Sequence, residues 1–306
     1  MKKNEVKKIL ETLLIDRTTN SNIIWGTNDY EYIGKEYGSH FPILFDLITG
    51  ENRNLIQPRI LKTKQNQNKR TKQKAEVFTP SWVCNIQNNL VDKAWFDREK
   101  VFNIEKEKTW ETITERIQFP KGKTWKQYVN ENILEITCGE APYLASRYDA
   151  ISGVPIELNN RIGILDRKMR IVNENAKTNQ EWLEWTENAF KSTYGFEFQG
   201  DSLLIARANL LASYCDYYEA RFKREPNENE LLNIAIIISW NLWQMDGLTF
   251  AIPYQKVAES KLQLILLKLK ENKNQDGFCV IKDWKEEKNV FFKDILAKRS
   301  EANEEK

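Results

Sequence analysis

Glu135, Glu197, Asp246 and Asp283 each follow a short apolar run, and a small Cys138-Gly139 pair comes directly after the first of them. An acid at the end of a strand can accept two hydrogen bonds from a ribose diol, the role an acid takes in dinucleotide-binding folds. Glu197 is placed for that role. Asp246 can accept from an exocyclic amine. Gly139 reaches backbone conformations closed to other residues and lets a ligand come near. A helix predicted from Pro142 would aim its free N–H groups at that ligand. Taken singly, each acid reads as a solvated turn or cap. Their order and spacing together describe a place for an adenosine-type ligand.

The elements that would position these residues follow from hydrophobic pattern. "ILEIT" reads as a strand entering a tight turn, and residues 158–185 read as helical. Tyr194 to Phe198 is a second strand, followed by a polar turn and a long helix. "NIAIIISWNLWQMDGL" reads as the most apolar strand of the chain, "QKVAESKLQLILLKLKENK" as an amphipathic helix and "GFCVIKDW" as a fourth strand. This alternation predicts an α/β open sheet with mostly parallel strands. Ligands of such sheets sit at the carboxyl ends of the strands. The expected rim therefore carries Glu135–Gly139, Glu197, Asn241–Asp246 and Asp283.

Upstream, Val6, Ile9, Leu10, Leu13 and Leu14 form a helical stripe. Residues 16–58 are mixed, with turn signals at "WGTND" and "ITGEN". The run "RILKTKQNQNKRTKQK", residues 59–74, has seven Lys or Arg and no acid. It supports two readings, a solvated linker or a phosphate-contacting stripe carried by Lys69, Arg70, Lys72 and Lys74. Thr79-Pro80-Ser81 then opens a helix, with Thr79 as its cap and Val83, Ile86, Leu90 and Val91 as its inner face. The expected organisation is a helical N-terminal region over 1–58, a basic linker over 59–74, an α/β domain over 75–298 and a charged tail over 299–306. The α/β domain carries a helical insertion at about 151–190.

Composition limits the function classes. Hydrophobic residues make up 41% and charged residues 29%, as in a soluble globular chain. Forty-six basic and 44 acidic residues nearly cancel, so any nucleic-acid surface has to be a local patch. The four cysteines are far apart with no Cys-x-x-Cys pair, which argues against a zinc knuckle or a disulfide framework and for reduced, cytoplasmic thiols. A single histidine, His40, leaves no material for a His-based metal site or a Ser-His-Asp triad. No run approaches a membrane span, and the N-terminus lacks the apolar core of a signal peptide.

Residues 75–248 resemble the S-adenosylmethionine-binding half of the adenine-N6 DNA methyltransferases of restriction–modification systems. "EITCGEAPYL" is similar to the family's Asp-Pro-x-Cys-Gly-Ser-Gly-x-Phe-Leu loop, with Glu135, Cys138, Gly139 and Leu144 matching. "AEVFTP" resembles its Gly-x-Phe-Tyr-Thr-Pro element, which implies Phe78, Thr79 and Pro80 at the methionine end of the cofactor. "YGFEFQGDSLLIARANLL" is similar to its Gly-x-Glu segment with a following Ala-Arg-x-Asn-Leu, here Ala206, Arg207, Asn209 and Leu210. That match gives Glu197 the ribose. "NLWQMDGL" looks like its Asn-Ile-x-x-x-Asp-x-Leu stretch and gives Asp246 the adenine amino group.

The resemblance implies a Rossmann-like methyltransferase sheet, S-adenosylmethionine as cofactor and DNA as partner. It departs from the family at Ile136, Ala141 and, above all, at the catalytic strand. There Asp283-Trp284-Lys285-Glu286 replaces Asn/Asp-Pro-Pro-Tyr/Phe. Asp283 would orient the target amine and Trp284 would stack on the flipped base. The chain after Asp283 is short for the remaining strands of such a sheet. An incomplete sheet exposes an edge, so a restriction or specificity subunit, a second copy or the N-terminal residues are expected to cover it. Three readings follow. One is an enzyme methylating adenine amino groups in DNA. Another is a non-catalytic cofactor- or DNA-binding partner of a separate nuclease or methyltransferase chain. The third is an α/β protein with a vestigial pocket.

Overall fold

The computed structural model describes residues 3–74, 79–255 and 277–296, apart from the side chains of Lys69, Gln73 and Lys74. Phe78, all but Gln255 of the amphipathic helix expected over 255–273 and the tail 299–306 lie outside the described residues. The first helix, α1 (Lys3–Leu14), forms as its stripe predicts and buries Ile9, Leu13 and Leu14.

The basic run over 59–74 is largely helical. Residues 64–74 form a helix, α2 (Lys64–Lys74). Arg70 turns inward from it, and its guanidinium meets Asp201 at 3.0 Å and Asp29 at 2.9 Å. A helix with no apolar face is docked here by a buried charge pair instead. Of the four proposed phosphate contacts, Arg70 is buried and Lys72 exposed, and the side chains of Lys69 and Lys74 lie outside the description.

The next helix, α3 (Ser81–Phe96), buries the opposite face from the one expected. Cys84, Asn85, Asn88 and Asp92 are inside, whereas Leu90 and Val91 are exposed. Its N-cap is Pro80, and the Ser81 N–H donates to Asp149 at 2.7 Å. A distant carboxylate takes the capping role expected of Thr79. A hairpin follows, β1 (Asn103–Lys106) with β2 (Thr109–Thr112), then the short helix α4 (Trp125–Val129).

The centre of the molecule is a small parallel sheet of three strands in the order β3 (Ile133–Glu135), β4 (Thr193–Glu197) and β5 (Leu242–Gln244). Helices α5 (Ile164–Asn175) and α6 (Asn179–Lys191) connect the first pair. Helices α7 (Gly200–Phe222) and α8 (Glu228–Asn241) connect the second. The chain is thus mixed α/β, as expected. Of the apolar run read as a strand over 233–248, residues 233–241 are helical and only 242–244 extend. Asn227 and Glu230 form a capping box that starts α8. The helix is apolar on nearly every side because it packs between α1, α6, α7 and the sheet.

The two faces of the sheet are covered differently. Leu242 belongs to the large core built with the helices. Tyr194, Phe196, Trp243 and Met245 point the other way and pack on Cys279, Ile281 and Phe292. Those last residues come from a second hairpin and its flanks, β6 (Val280–Asp283) with β7 (Lys288–Phe291). The strand expected to lie fourth in the parallel sheet is therefore an antiparallel hairpin laid over its face. Beside β5, the Gln244 side chain accepts from Ile24 N–H at 2.8 Å and donates to Ile24 O at 2.9 Å. The N-terminal region borders that edge, as one of the expected alternatives had it. The outer edge of β3 has no strand neighbour among the described residues.

Arg207, matched to the family's helix arginine, is fully buried and donates only to backbone carbonyls. It reaches Leu242 O at 2.6 and 2.9 Å and Ile15 O at 3.0 Å. It ties α7 to β5 and to the end of α1. Burial lowers its pKa to about 9. Among the described residues no helix is long and apolar enough to cross a membrane.

Candidate cofactor-binding site

The turn after β3 alternates its backbone. Thr137, Gly139 and Ala141 have φ of 47°, 55° and 61°, the left-handed region that disfavours residues with a Cβ. The turn is pinned at three points. Cys138 N donates to Phe196 O at 2.8 Å, Gly139 N to a Glu197 carboxylate oxygen at 2.9 Å and Ala141 N to Cys138 O at 2.7 Å. Non-glycine residues held in this region store strain, which folded chains tolerate where the surroundings over-determine it. Thr137 is exposed, so its strain lacks the compensation of packing. Thr137→Gly is expected to stabilise the chain by up to about 1 kcal/mol in urea denaturation.

The helix expected from Pro142 is absent. A single turn closes with Ala145 N on Ala141 O at 2.9 Å. The Ser146 N–H then donates to Asp166 at 2.8 Å instead of continuing a helix. The Ser146 hydroxyl also accepts from Ile162 N and Gly163 N. Residue 146 is thereby committed to the start of α5. No helix N-terminus faces the rim at this point.

Glu197, at the end of β4, is buried. One oxygen accepts from Gly139 N, and the other from Phe198 N at 2.9 Å and Gln199 N at 3.1 Å. Burial raises its pKa and these N–H groups oppose the rise. Glu135 lies close enough for the two charges to repel. One Glu135 oxygen accepts from Tyr143 N at 3.4 Å, while its Oε2 is buried with no hydrogen-bond partner. Burial, reinforced by the Glu197 charge, drives the Glu135 pKa well above the usual carboxylate range.

Gln199, two residues beyond Glu197, is also buried and its Oε1 has no partner. The Tyr143 hydroxyl sits within reach of the Thr79 and Cys84 side chains, which brings Thr79 into the same cluster. Burial, with Glu135 nearby, pushes the Cys84 thiol up to about 12. Burial likewise lifts Cys138 well above its ordinary value. Neither thiol is a nucleophile in this setting. Cys138 packs against Gly195, where an added Cβ would come within 3.3 Å of its sulfur.

Asp246 follows β5, whose last neighbour Met245 donates its N–H to Glu197 O at 3.1 Å. Its carboxylate accepts from Leu248 N at 2.9 Å and closes the turn back to Ala251. Asp246 therefore borders the rim while holding its own turn. Beside it, Tyr254 stands over His40 at 4.1 Å and Phe198 at 5.3 Å between ring centroids. Its hydroxyl donates to Gly26 O at 3.1 Å.

Thr79, Glu135, Cys138, Gly139, Glu197 and Asp246 are thus gathered on one side, and Pro80 begins α3 next to Thr79. Sequence reasoning missed Gln199, Tyr143 and the His40–Tyr254 pair. Gln199 had a local signal as the polar residue after a strand-end acid. The others are joined by contacts no local pattern encodes.

Asp283 and Trp284 are not part of this group. The Asp283 carboxylate accepts from Lys285 N and Glu286 N at 3.0 and 3.1 Å and shapes the β6–β7 turn. Trp284 Nε1 donates to Asn241 Oδ1 at 2.7 Å, and Lys282 lies 4.6 Å from its ring centroid. Asn241 in turn donates to Phe190, Lys191 and Thr193 carbonyls at the amino ends of the strands. Because β6 runs against β5, its acidic end falls at the edge opposite Gly139 and Glu197. The rim that was expected to hold four strand ends holds three.

No protein-family model, curated protein or solved structure matches the chain. Chemically, the rim accepts: it offers two buried oxygens without donors beside a paired carboxylate, and so suits a ligand rich in N–H and O–H groups.

Proposed function

We propose that the chain binds S-adenosylmethionine at this rim, on a Rossmann-like methyltransferase sheet. In this reading it is the cofactor-holding subunit of a DNA adenine methyltransferase of the restriction–modification type. The observation that carries the reading is the pair of buried acceptors without donors, Glu135 Oε2 and Gln199 Oε1, on residues at or just past the ends of the two strands that the Gly139–Glu197 contact joins. S-adenosylmethionine brings an ammonium, a ribose diol and an adenine amine, all donors. Glu135 would meet the ammonium, Glu197 and Gln199 the diol, and Asp246 the adenine amine.

The left-handed backbone at Gly139 and Ala141 also supports the reading. It occurs where the resembled family has its two loop glycines. The bound cofactor supplies an already activated methyl group, so the chain's own contribution is placement.

The position of Asp283 and Trp284 favours the partner-dependent form over an enzyme complete in itself. With both at the opposite edge, the group that presents the adenine amine of DNA belongs to another chain. Calorimetric titration with S-adenosylmethionine is the test. The wild-type chain is expected to bind, Asp283→Ala to bind as well, and Glu197→Gln to bind roughly a hundredfold more weakly. That loss corresponds to two charge-assisted hydrogen bonds. Tritium transfer to duplex DNA is expected only when a partner chain is added. Absence of binding, or equal binding by Glu197→Gln, overturns the proposal.

A further inference from the structure

We propose a second site, away from the rim: a cavity of about 850 Å³ that takes a small ligand with an anionic group on an apolar body. The cavity lies between residues 58–61, the turn at 153–158 and the last part of α7. Its apolar walls include Ile60, Leu61 and Ile156, and its charged lining sets Arg147, Arg161 and Lys223 beside Asp216, Glu157 and Glu219.

The charged lining is unevenly satisfied. Asp216 accepts from Arg147 Nε at 3.0 Å and from Arg161 Nη2 at 2.6 Å. The Arg161 side chain is only 8% exposed, and its Nη1 is buried with no hydrogen-bond partner. The nearby Asp166 attracts Arg161 by charge. Its oxygens, however, are taken by Ser146 and Tyr217. A buried guanidinium N–H left without an acceptor costs on the order of 1–3 kcal/mol. An anionic oxygen answers it about twice as strongly as a neutral one.

A volume of this size suits a ligand rather than a lone water, since small-molecule sites span roughly 300–1,000 Å³. Arg161 supplies the specific contact and the apolar walls supply the area, the usual division of labour in such sites. None of Glu135, Cys138, Gly139 and Glu197 lines the cavity. The two sites meet at Glu140 in the Gly139 turn, which accepts from the hydroxyl of Tyr148, a cavity-lining residue, and from the Arg59 N–H at 2.6 Å in the 58–61 segment.

Phenyl phosphate is the probe, titrated into the full chain by calorimetry, with phenol and inorganic phosphate as the two half-ligands. Saturable binding of phenyl phosphate is expected, tighter than that of either half. Arg161→Lys keeps the charge and removes Nη1, and is expected to weaken binding by roughly tenfold or more. Ala220→Trp places a large ring into the cavity from an exposed helix position and is expected to abolish binding without loss of fold, checked by circular dichroism. No saturable binding at millimolar probe overturns the proposal. So does equal binding by folded Ala220→Trp. Inorganic phosphate binding as tightly as phenyl phosphate would overturn the apolar half of the ligand assignment.

Discussion

Asp201→Asn is expected to lower the free energy of unfolding by about 3–5 kcal/mol, measured by urea denaturation at neutral pH. Asp201 is fully buried at the start of α7 and holds two cations, Arg70 at 3.0 Å and Lys62 at 3.2 Å. Tyr30 donates its hydroxyl to the same carboxylate at 2.8 Å. Taking away the carboxylate charge leaves Lys62 and Arg70 against a neutral amide, with Arg70 still paired to Asp29, whose side chain is partly exposed. Breaking a buried pair from one side costs far more than the pair contributes net, because the remaining charge has already lost its water.

Lys62 and Arg70 hold the Asp201 carboxyl far below its ordinary value, against the opposing effect of burial. A carboxyl depressed in the folded state stabilises above the unfolded pKa, and that stability disappears as pH falls through the folded pKa. The wild-type advantage over Asp201→Asn should therefore shrink only in strong acid. Lys72→Gln on the exposed side of α2 is expected to change stability by less than about 0.5 kcal/mol. If Asp201→Asn behaved like Lys72→Gln, Arg70 would return to the surface role its basic neighbourhood suggests.

Lys168 gives the second large effect. Its amine is buried in α5 and donates to Glu131 O at 2.6 Å, to Ser192 O at 3.0 Å and to the Ser192 hydroxyl at 2.7 Å. Three oxygens suit an ammonium and burial suits the neutral amine. Burial prevails and lowers the pKa to about 7, from 10.5 in the unfolded chain. Between those values the unfolded state binds more protons than the folded one, so stability from this group rises with pH. The slope is about 1.4 kcal/mol per pH unit at most.

Other buried groups also make stability depend on pH, because burial keeps Tyr128 and Cys138 protonated in the folded chain beyond the pH at which they ionise when unfolded. The informative quantity is therefore the difference between wild type and Lys168→Met. Wild type should gain on the variant from pH 7 to pH 10. A constant difference across that range would show that the three oxygens hold the ammonium charged throughout.

Both cases bear on what local pattern can carry. The junction Glu135-Ile136-Thr137-Cys138-Gly139 was legible because its causes are local. An apolar strand, a small pair and a residue free to take positive φ make a tight turn wherever they occur in that order. Glu197 was legible for the same reason, as an acid that ends a fully buried strand.

The fate of Arg70 was not legible. Its partner Asp201 is 131 residues away, and a run of Lys, Arg, Gln and Asn carries no sign of which member turns inward. In α3, Leu90 and Val91 looked like the inner face. The buried face is polar instead because Asp92 and Asn85 receive the guanidinium of Arg167. The run 233–241 was ambiguous in principle, since a segment apolar on every side has neither helical nor strand periodicity. Its packing among α1, α6 and α7 decided for helix.

The sequence by itself determined the turn chemistry and the acids that border it, because φ preferences and strand endings depend on neighbours along the chain. The tertiary structure alone decided which strand ends share a rim. Asp283 sits at the far edge because β6 covers the sheet's apolar face in the reverse direction. That choice is made by Phe196, Trp243 and Met245 seeking burial against Ile281 and Phe292, and no spacing within β6 records it.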